Sequence, residues 1–153
     1  VDVRIELSHD ERERYEDFRS AAIEEMEIGG NDPATRFRLL AAMTRLRQLA
    51  CDSRLVYPDD FLATGTKIER LRTIISDLRQ SGHKALVFSQ FTTLLGLARD
   101  ALEADGVQIR YLDGSTPLKR RQAEVDAFQA GDGDATPTRH RWPDGCCRNR
   151  DNA

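Results

Sequence analysis

Ser89-Gln90 in KALVFSQF (84–91) and Asp113-Gly114-Ser115-Thr116 in YLDGSTPLKRRQ (111–122) place small polar residues where a strand would give way to a helix. In open parallel sheets, ligands are met at the carboxyl ends of strands, where loops lead into helix N-termini. Gly114 frees the backbone to turn. The hydroxyls of Ser115 and Thr116, with the N–H groups of the helix that follows, are donors suited to an oxyanion such as phosphate. Arg121 lies one turn further in and could add charge. The same residues also fit a plain helix cap at Thr116 before Pro117 and a plain turn at Asp113-Gly114. By chemistry alone that second reading is the commoner one.

The elements that would position these loops follow from periodicity. Residues 3–7 (VRIEL) alternate apolar and charged, which predicts a short half-exposed strand. Ser8 with Glu11 forms a capping box, and the helix it opens carries Tyr15, Phe18, Ala22 and Met26 on one face before Gly29-Gly30. Asp32-Pro33 starts a second helix, with Leu39, Ala42, Met43, Leu46, Leu49 and Ala50 as its apolar face. Residues 51–65 have no period and read as a loop. Thr66 with Glu69 predicts a second capping box, opening a stripe of Ile68, Leu71, Ile74, Ile75 and Leu78 that Ser81-Gly82 stops. Ala85-Leu86-Val87-Phe88 does not alternate, as in a strand buried on both faces of a parallel sheet. A helix over 91–105, a strand over 107–112 and a helix from Thr116-Pro117 to about Gly131 complete a βαβα unit.

The chain has 153 residues, 32% of them charged, and a net charge of −3, so overall charge argues neither for nor against nucleic acid. No apolar run approaches the roughly 20 residues needed to cross a bilayer, and VDVRIELSHDERERY lacks the pattern of a signal peptide. No membrane partner is therefore expected. Three cysteines, two of them adjacent as Cys146-Cys147, do not make a disulfide framework, and the location expected is cytoplasmic. His140 with Cys146 and Cys147 lacks the paired spacing of a structural zinc site, so no metal is assigned. Beyond Ala135 the segment TPTRHRWPDGCCRNRDNA holds no Val, Ile, Leu, Met or Phe. It is expected to supply no buried strand and to be disordered.

Taken together, LRQLACDSRLV (46–56), GTKIERL (65–71), GHKALVFSQFTTLL (82–95) and YLDGSTPLKRRQAEVDAFQAGDGDA (111–135) resemble the Swi/Snf family of DNA-dependent ATPases, in the family's order and spacing. KALVFSQF resembles helicase motif IV, and LDGST with Arg121 resembles the segment after it. The resemblance implies an α/β fold, a partial RecA-like parallel sheet (βαβα) preceded by a helical region. Its domains would be an inter-lobe helical region at 1–65, the beginning of the second lobe at 66–135 and a non-family tail at 136–153. It implies a superfamily-two motor whose two lobes close on ATP and magnesium and step along double-stranded DNA. Ser89, Gln90, Phe91, Gly114, Ser115, Thr116 and Arg121 would then contact the DNA backbone weakly and independently of sequence. A DNA-bound form would be nucleoid-associated. Arg36, Arg38, Arg45, Arg47 and Arg54 suit a basic surface, or a solvated helix face balanced by Glu and Asp, which is the preferred reading.

The family's G-x-x-x-x-G-K-(S/T) loop and acidic magnesium ligand are not in this sequence: no glycine stands five positions before Gly65. Motif V is expected just after Ala135, and TPTRHRWPDGCC stands there instead; Ser53 occupies a position where the family usually has proline. The expectation is a chain truncated before motifs V and VI, with no catalytic residues or bound cofactor, inactive towards ATP without the missing first lobe. Its unpaired sheet edge is expected to promote self-association. The alternative is a non-enzymatic interaction module that docks partners on the helices of residues 8–50.

Overall fold

The computed structural model describes residues 2–29, 32–59 and 65–130, together with the backbone of 135–138. The chain divides into two compact units, Val1–Asp77 and Leu78–Ala153. Its helices are α1 (His9–Gly29), α2 (Pro33–Leu49), α3 (Thr66–Gln80), α4 (Thr92–Ala104) and α5 (Leu118–Gln129). Its strands are β1 (Ala85–Phe88) and β2 (Ala135–Thr138).

In the first unit, residues 3–7 form no strand. They keep the expected alternation, with Ile5 and Leu7 half-buried between exposed Arg4 and Glu6, but no ladder partner is present among the described residues. The Ser8–Glu11 capping box closes as expected: Ser8 N–H donates to Glu11 Oε2 at 2.9 Å, and Glu11 N–H to Ser8 Oγ at 3.2 Å. α1 packs against α2 through Ala22 and Met26 on one side and Leu39 and Ala42 on the other. At their junction the Thr35 hydroxyl donates to the Gly29 carbonyl, and a Cβ on Gly29 would stand 2.6 Å from Thr35 Oγ1. Asp32 holds the N-cap position of α2 without a side-chain cap bond. Met43, expected on the apolar face, is 52% exposed; Phe37 and Leu40 stand out beside it, at 78% and 62%. The face that packs is narrower than the apolar content of the helix suggests, because Thr35 takes a buried place on it.

The second predicted capping box does not form. Thr66 is the first residue of α3, and the Gly65 carbonyl accepts from Ile68 N–H and Glu69 N–H. Glu69 pairs instead with Arg72, at 3.0 Å. The carboxylate that meets this helix start comes from 55 residues away: Thr66 N–H donates to Glu11 Oε1 at 3.1 Å, and Thr66 Oγ1 to Glu11 Oε2 at 2.8 Å. Glu11 therefore serves the beginnings of α1 and α3 together. Asp52, 1% exposed, lies alongside, accepting from Arg54 N–H, Nε and Nη2 at 2.8–3.0 Å. Gly65 fits between the two acids: an added Cβ would collide with Asp52 Oδ2 and stand 3.3 Å from Glu11 Oε1. Around this polar cluster Leu49, Ile68 and Ile75 are fully buried, and the predicted stripe of α3 is the face turned inward.

In the second unit α3 and α4 end alike. Gly82 and Gly106 adopt positive φ, 71° and 72°. His83 N–H reaches the Leu78 carbonyl and Val107 N–H the Leu102 carbonyl, while each glycine N–H bonds one turn back, the pattern of a Schellman cap. Leu95, Ala98, Leu102, Val107 and Leu112 form the core. The predicted strand over 107–112 is reduced to isolated bridge residues at Ile109 and Leu112. The parallel partner of β1 is β2, in the register Ala85↔Ala135 to Phe88↔Thr138. Thus Ala135–Thr138 supply a strand where the sequence reading expected none. A ladder is built from backbone N–H and C=O groups, so a segment without large aliphatics can join it. The rest of the tail, 139–153, lies outside the described residues. β1 is also not buried on both faces, since Leu86 and Phe88 are 38% and 50% exposed while Ala85 and Val87 turn inward. The result is an α/β fold. No helix among the described residues is long and apolar enough to cross a membrane.

Burial opposes the charge on Glu11, but bonds from Ser8 and Thr66 together outweigh it and hold the carboxyl below its ordinary value of 4.5. A depressed pKa stabilises the fold above the ordinary value and stops doing so as pH falls through the lowered one. Glu11→Gln should cost about 2–3 kcal/mol at pH 7, and the gap from wild type in urea melts should narrow below about pH 4. A constant gap from pH 7 to 3 would contradict this. Gly65→Ala should cost about 1–3 kcal/mol by the same melts; an unchanged midpoint would show that Asp52 yields freely.

Candidate nucleic-acid interface

Both polar loops lie in the second unit, each at the N-terminus of a helix. The first leads from β1 into α4. Ser89 is half-buried and its Oγ accepts from Phe91 N–H at 3.0 Å, folding the chain tightly before the helix. Gln90 is exposed. Phe91 is the N-cap residue, half-buried with extended backbone, and its carbonyl accepts from Leu95 N–H.

The second loop is organised around Asp113. Its Oδ1 accepts from Ser115 N–H at 2.8 Å, from Ser115 Oγ at 2.6 Å and from Thr116 Oγ1 at 3.3 Å. The Asp113 carbonyl accepts from Thr116 N–H, and Asp113 N–H donates to Thr116 Oγ1. The Ser115 hydroxyl foremost, with these further donors, holds the Asp113 carboxyl below its ordinary value of 3.8. Arg121 closes the loop from the helix side: its Nε donates to the Thr116 carbonyl at 2.7 Å, and its Nη2 to the carbonyls of Gly114 and Asp113 at 3.0 and 3.1 Å.

Asp113, Ser115 and Thr116 border a cleft of about 440 Å³, which none of Ser89, Gln90 and Phe91 lines. Sequence reading missed the remaining walls. Arg99 stacks over the Tyr111 ring at 5.5 Å and pairs with Asp100. Arg110 and Arg120 both converge on Glu124, at 3.4 and 3.6 Å. The run Lys119-Arg120-Arg121 was a visible basic signal, but the positions of Arg99 and Arg110 depend on tertiary packing. Three arginines face Glu103, Asp113 and Glu124 across the cleft, so its charge is balanced.

In the first unit, Arg38 and Arg54, both weighed as part of a basic surface, are tied to acids. Arg38 meets Glu25 at 3.3 Å, and Arg54 is held by Asp52, whose hydrogen bond raises the guanidinium's pKa above its ordinary value. No group of three or more His, Cys, Asp or Glu among the described residues is placed to hold a metal.

Residues 66–136 match the helicase conserved C-terminal domain family. The chain is 35% identical over 77 residues to Protein CHROMATIN REMODELING 19 of Arabidopsis thaliana and 37% identical over 62 residues to Helicase SWR1 of Yarrowia lipolytica. Those matches cover 50% and 40% of this chain but 10% and 4% of the relatives, so the chain spans a tenth or less of their length. Among solved structures it superposes on the Sulfolobus solfataricus SWI2/SNF2 ATPase C-terminal domain with a TM-score of 0.84 at 17% identity, covering 92% of this chain and 63% of that one. The Sulfolobus solfataricus SWI2/SNF2 ATPase core in complex with dsDNA gives a TM-score of 0.82 at 16% identity, covering 91% of this chain and 30% of that one. These superpositions establish a shared fold, α/β and RecA-like.

Because the Asp113 carboxyl is held below its ordinary value, its grip on the loop should persist until pH falls through that lowered value. The amide signals of Ser115 and Thr116 should therefore be constant from pH 7 down to 4.5 and shift only below the ordinary carboxylate range. A midpoint at or above about 4 would contradict the hydrogen-bond pattern.

Proposed function

Since the chain belongs to the helicase C-terminal domains of the Swi/Snf type, we propose that it is part of an ATP-dependent DNA translocase and contributes contacts to the backbone of duplex DNA. The two loops at the starts of α4 and α5 carry this reading. They present Ser89, Gln90 and Phe91, and Gly114, Ser115 and Thr116, at helix N-termini, where backbone N–H groups and the helix dipole favour phosphate oxygens. The Swi2/Snf2 core of the same fold, whose structure includes dsDNA, supports DNA as the partner. Contacts of this kind are to phosphate and so independent of base sequence. On this reading ATP and magnesium belong to the two-lobed motor, and the chain, whose sequence has no phosphate-cradling loop, turns over no ATP alone.

A second reading rests on α2. Phe37, Leu40 and Met43 are exposed on a helix that carries Arg36, Arg38, Arg45 and Arg47 and no acidic residue, a surface suited to a protein partner. The exposed Leu86 and Phe88 of β1 likewise favour self-association at the sheet.

The test is fluorescence anisotropy with two labelled duplexes of unrelated sequence, at several salt concentrations. The expected result is equal affinity for both within about twofold, with log K falling against log salt at about −0.9 per phosphate contact. ATP turnover in the same preparation should be absent. No binding at low salt, or a strong preference for one duplex, would overturn the DNA reading and bring the α2 surface forward.

A further inference from the structure

We infer that Arg121 is a positioning residue, which holds the 113–116 loop in shape from behind, and is not itself a ligand for phosphate. The inference rests on the DNA reading of that loop for its functional meaning, but its structural content stands on this chain's own geometry.

An arginine one turn into a helix behind a polar loop invites the role of anion ligand, because its guanidinium is a fork matched to phosphate. Here the Nε–Nη2 edge of the fork is already occupied. Nε and Nη2 donate to three backbone carbonyls, those of Thr116, Gly114 and Asp113, between 2.7 and 3.1 Å. Carbonyls that converge on one point of a tight turn repel one another, and a single cation shared among them fixes the turn. The carboxylate of Asp113 does the complementary work on the other side, collecting the N–H of Ser115 and the hydroxyls of Ser115 and Thr116. Acceptors thus gather on Arg121 and donors on Asp113, and the loop is held between two opposite charges.

This arrangement also decides how the loop meets an anion. Both hydroxyl protons are turned to Asp113, and Ser115 N–H and Thr116 N–H are bonded within the loop. The Gly114 N–H makes no hydrogen bond among the described residues, and Gly114 is exposed with open space where a Cβ would be. The donor offered to phosphate is then the Gly114 amide, with the exposed side chain of Lys119 on the first turn of α5 supplying charge. Arg121 acts on that contact through the loop.

The two roles separate by salt dependence and by the conservative variant. Arg121→Gln and Arg121→Lys are compared with wild type for duplex affinity at several salt concentrations, at a temperature well below the melt of either. Amide exchange is followed at Gly114, Ser115 and Thr116. For a positioning residue, Arg121→Gln should weaken binding several-fold with the log–log salt slope unchanged, whereas losing a phosphate ligand lowers the slope by about 0.9. Exchange at Ser115 and Thr116 should quicken by about tenfold or more, as charge-assisted hydrogen bonds are lost. Lysine, a point charge that cannot span three carbonyls, should not rescue either property. A slope reduced in Arg121→Gln and restored in Arg121→Lys would overturn the inference, as would unchanged exchange in both variants. If wild type itself binds no duplex, the DNA reading fails, and the exchange data alone decide for or against the positioning role.

Discussion

One carboxylate ties together the starts of α1 and α3. Glu11 accepts the N–H of Ser8 at the start of α1 and both the N–H and hydroxyl of Thr66 at the start of α3, so two helix N-termini converge on the same pair of oxygens. Free N–H groups at a helix start need a partner, and the partial positive charge there favours an anion. Sharing one acid between two helices satisfies both needs and sets the distance between them. The constraint extends to Asp52, whose carboxylate lies beside Glu11, is neutralised by Arg54, and leaves room at residue 65 only for hydrogen. Two of the stretches that mark the family, LRQLACDSRLV and GTKIERL, thus meet in space: Asp52 and Arg54 come from the first, Gly65 and Thr66 from the second.

The same design recurs in smaller form in the second unit. Asp113 collects the donors of the 113–116 turn and Arg121 its acceptors, so the loop is held between two opposite charges. In both places a charged side chain completes backbone groups that the element itself leaves open. Rigid loops at helix starts are the kind of surface that meets a phosphate backbone with little ordering cost on binding. The cleft next to Asp113 is charge-balanced, with Arg110 and Arg120 both committed to Glu124, which separates it chemically from a nucleic-acid groove lined by one sign.

Much of the fold was legible because its determinants are local. Gly82 and Gly106 end α3 and α4 as their positions suggest, and the Ser8–Glu11 box opens α1. The stripe of Ile68, Ile75 and Leu78 faces inward. What escaped was non-local. Nothing in GTKIERL reveals that Thr66 is met by an acid 55 residues earlier; Glu69 has the right spacing for the task and pairs with Arg72 instead. The residues of β2 include no large aliphatic, and a ladder with β1 needs only backbone groups. The apolar residues of α2 and β1 outnumber what the described structure covers, so pattern alone placed Met43 and Phe88 inside. At the candidate site, both loops were visible as polar residues before helices, whereas the direction in which Arg121 and the two hydroxyls point was not.

An amide-shift map of the isotopically labelled chain, titrated with a short DNA duplex at low salt, tests the two loops most directly. The shifts should concentrate at 89–91 and 114–116 and vanish as salt is raised. Shifts confined to α2 around Phe37, Leu40 and Met43, or an unchanged spectrum at saturating duplex, would contradict the DNA reading.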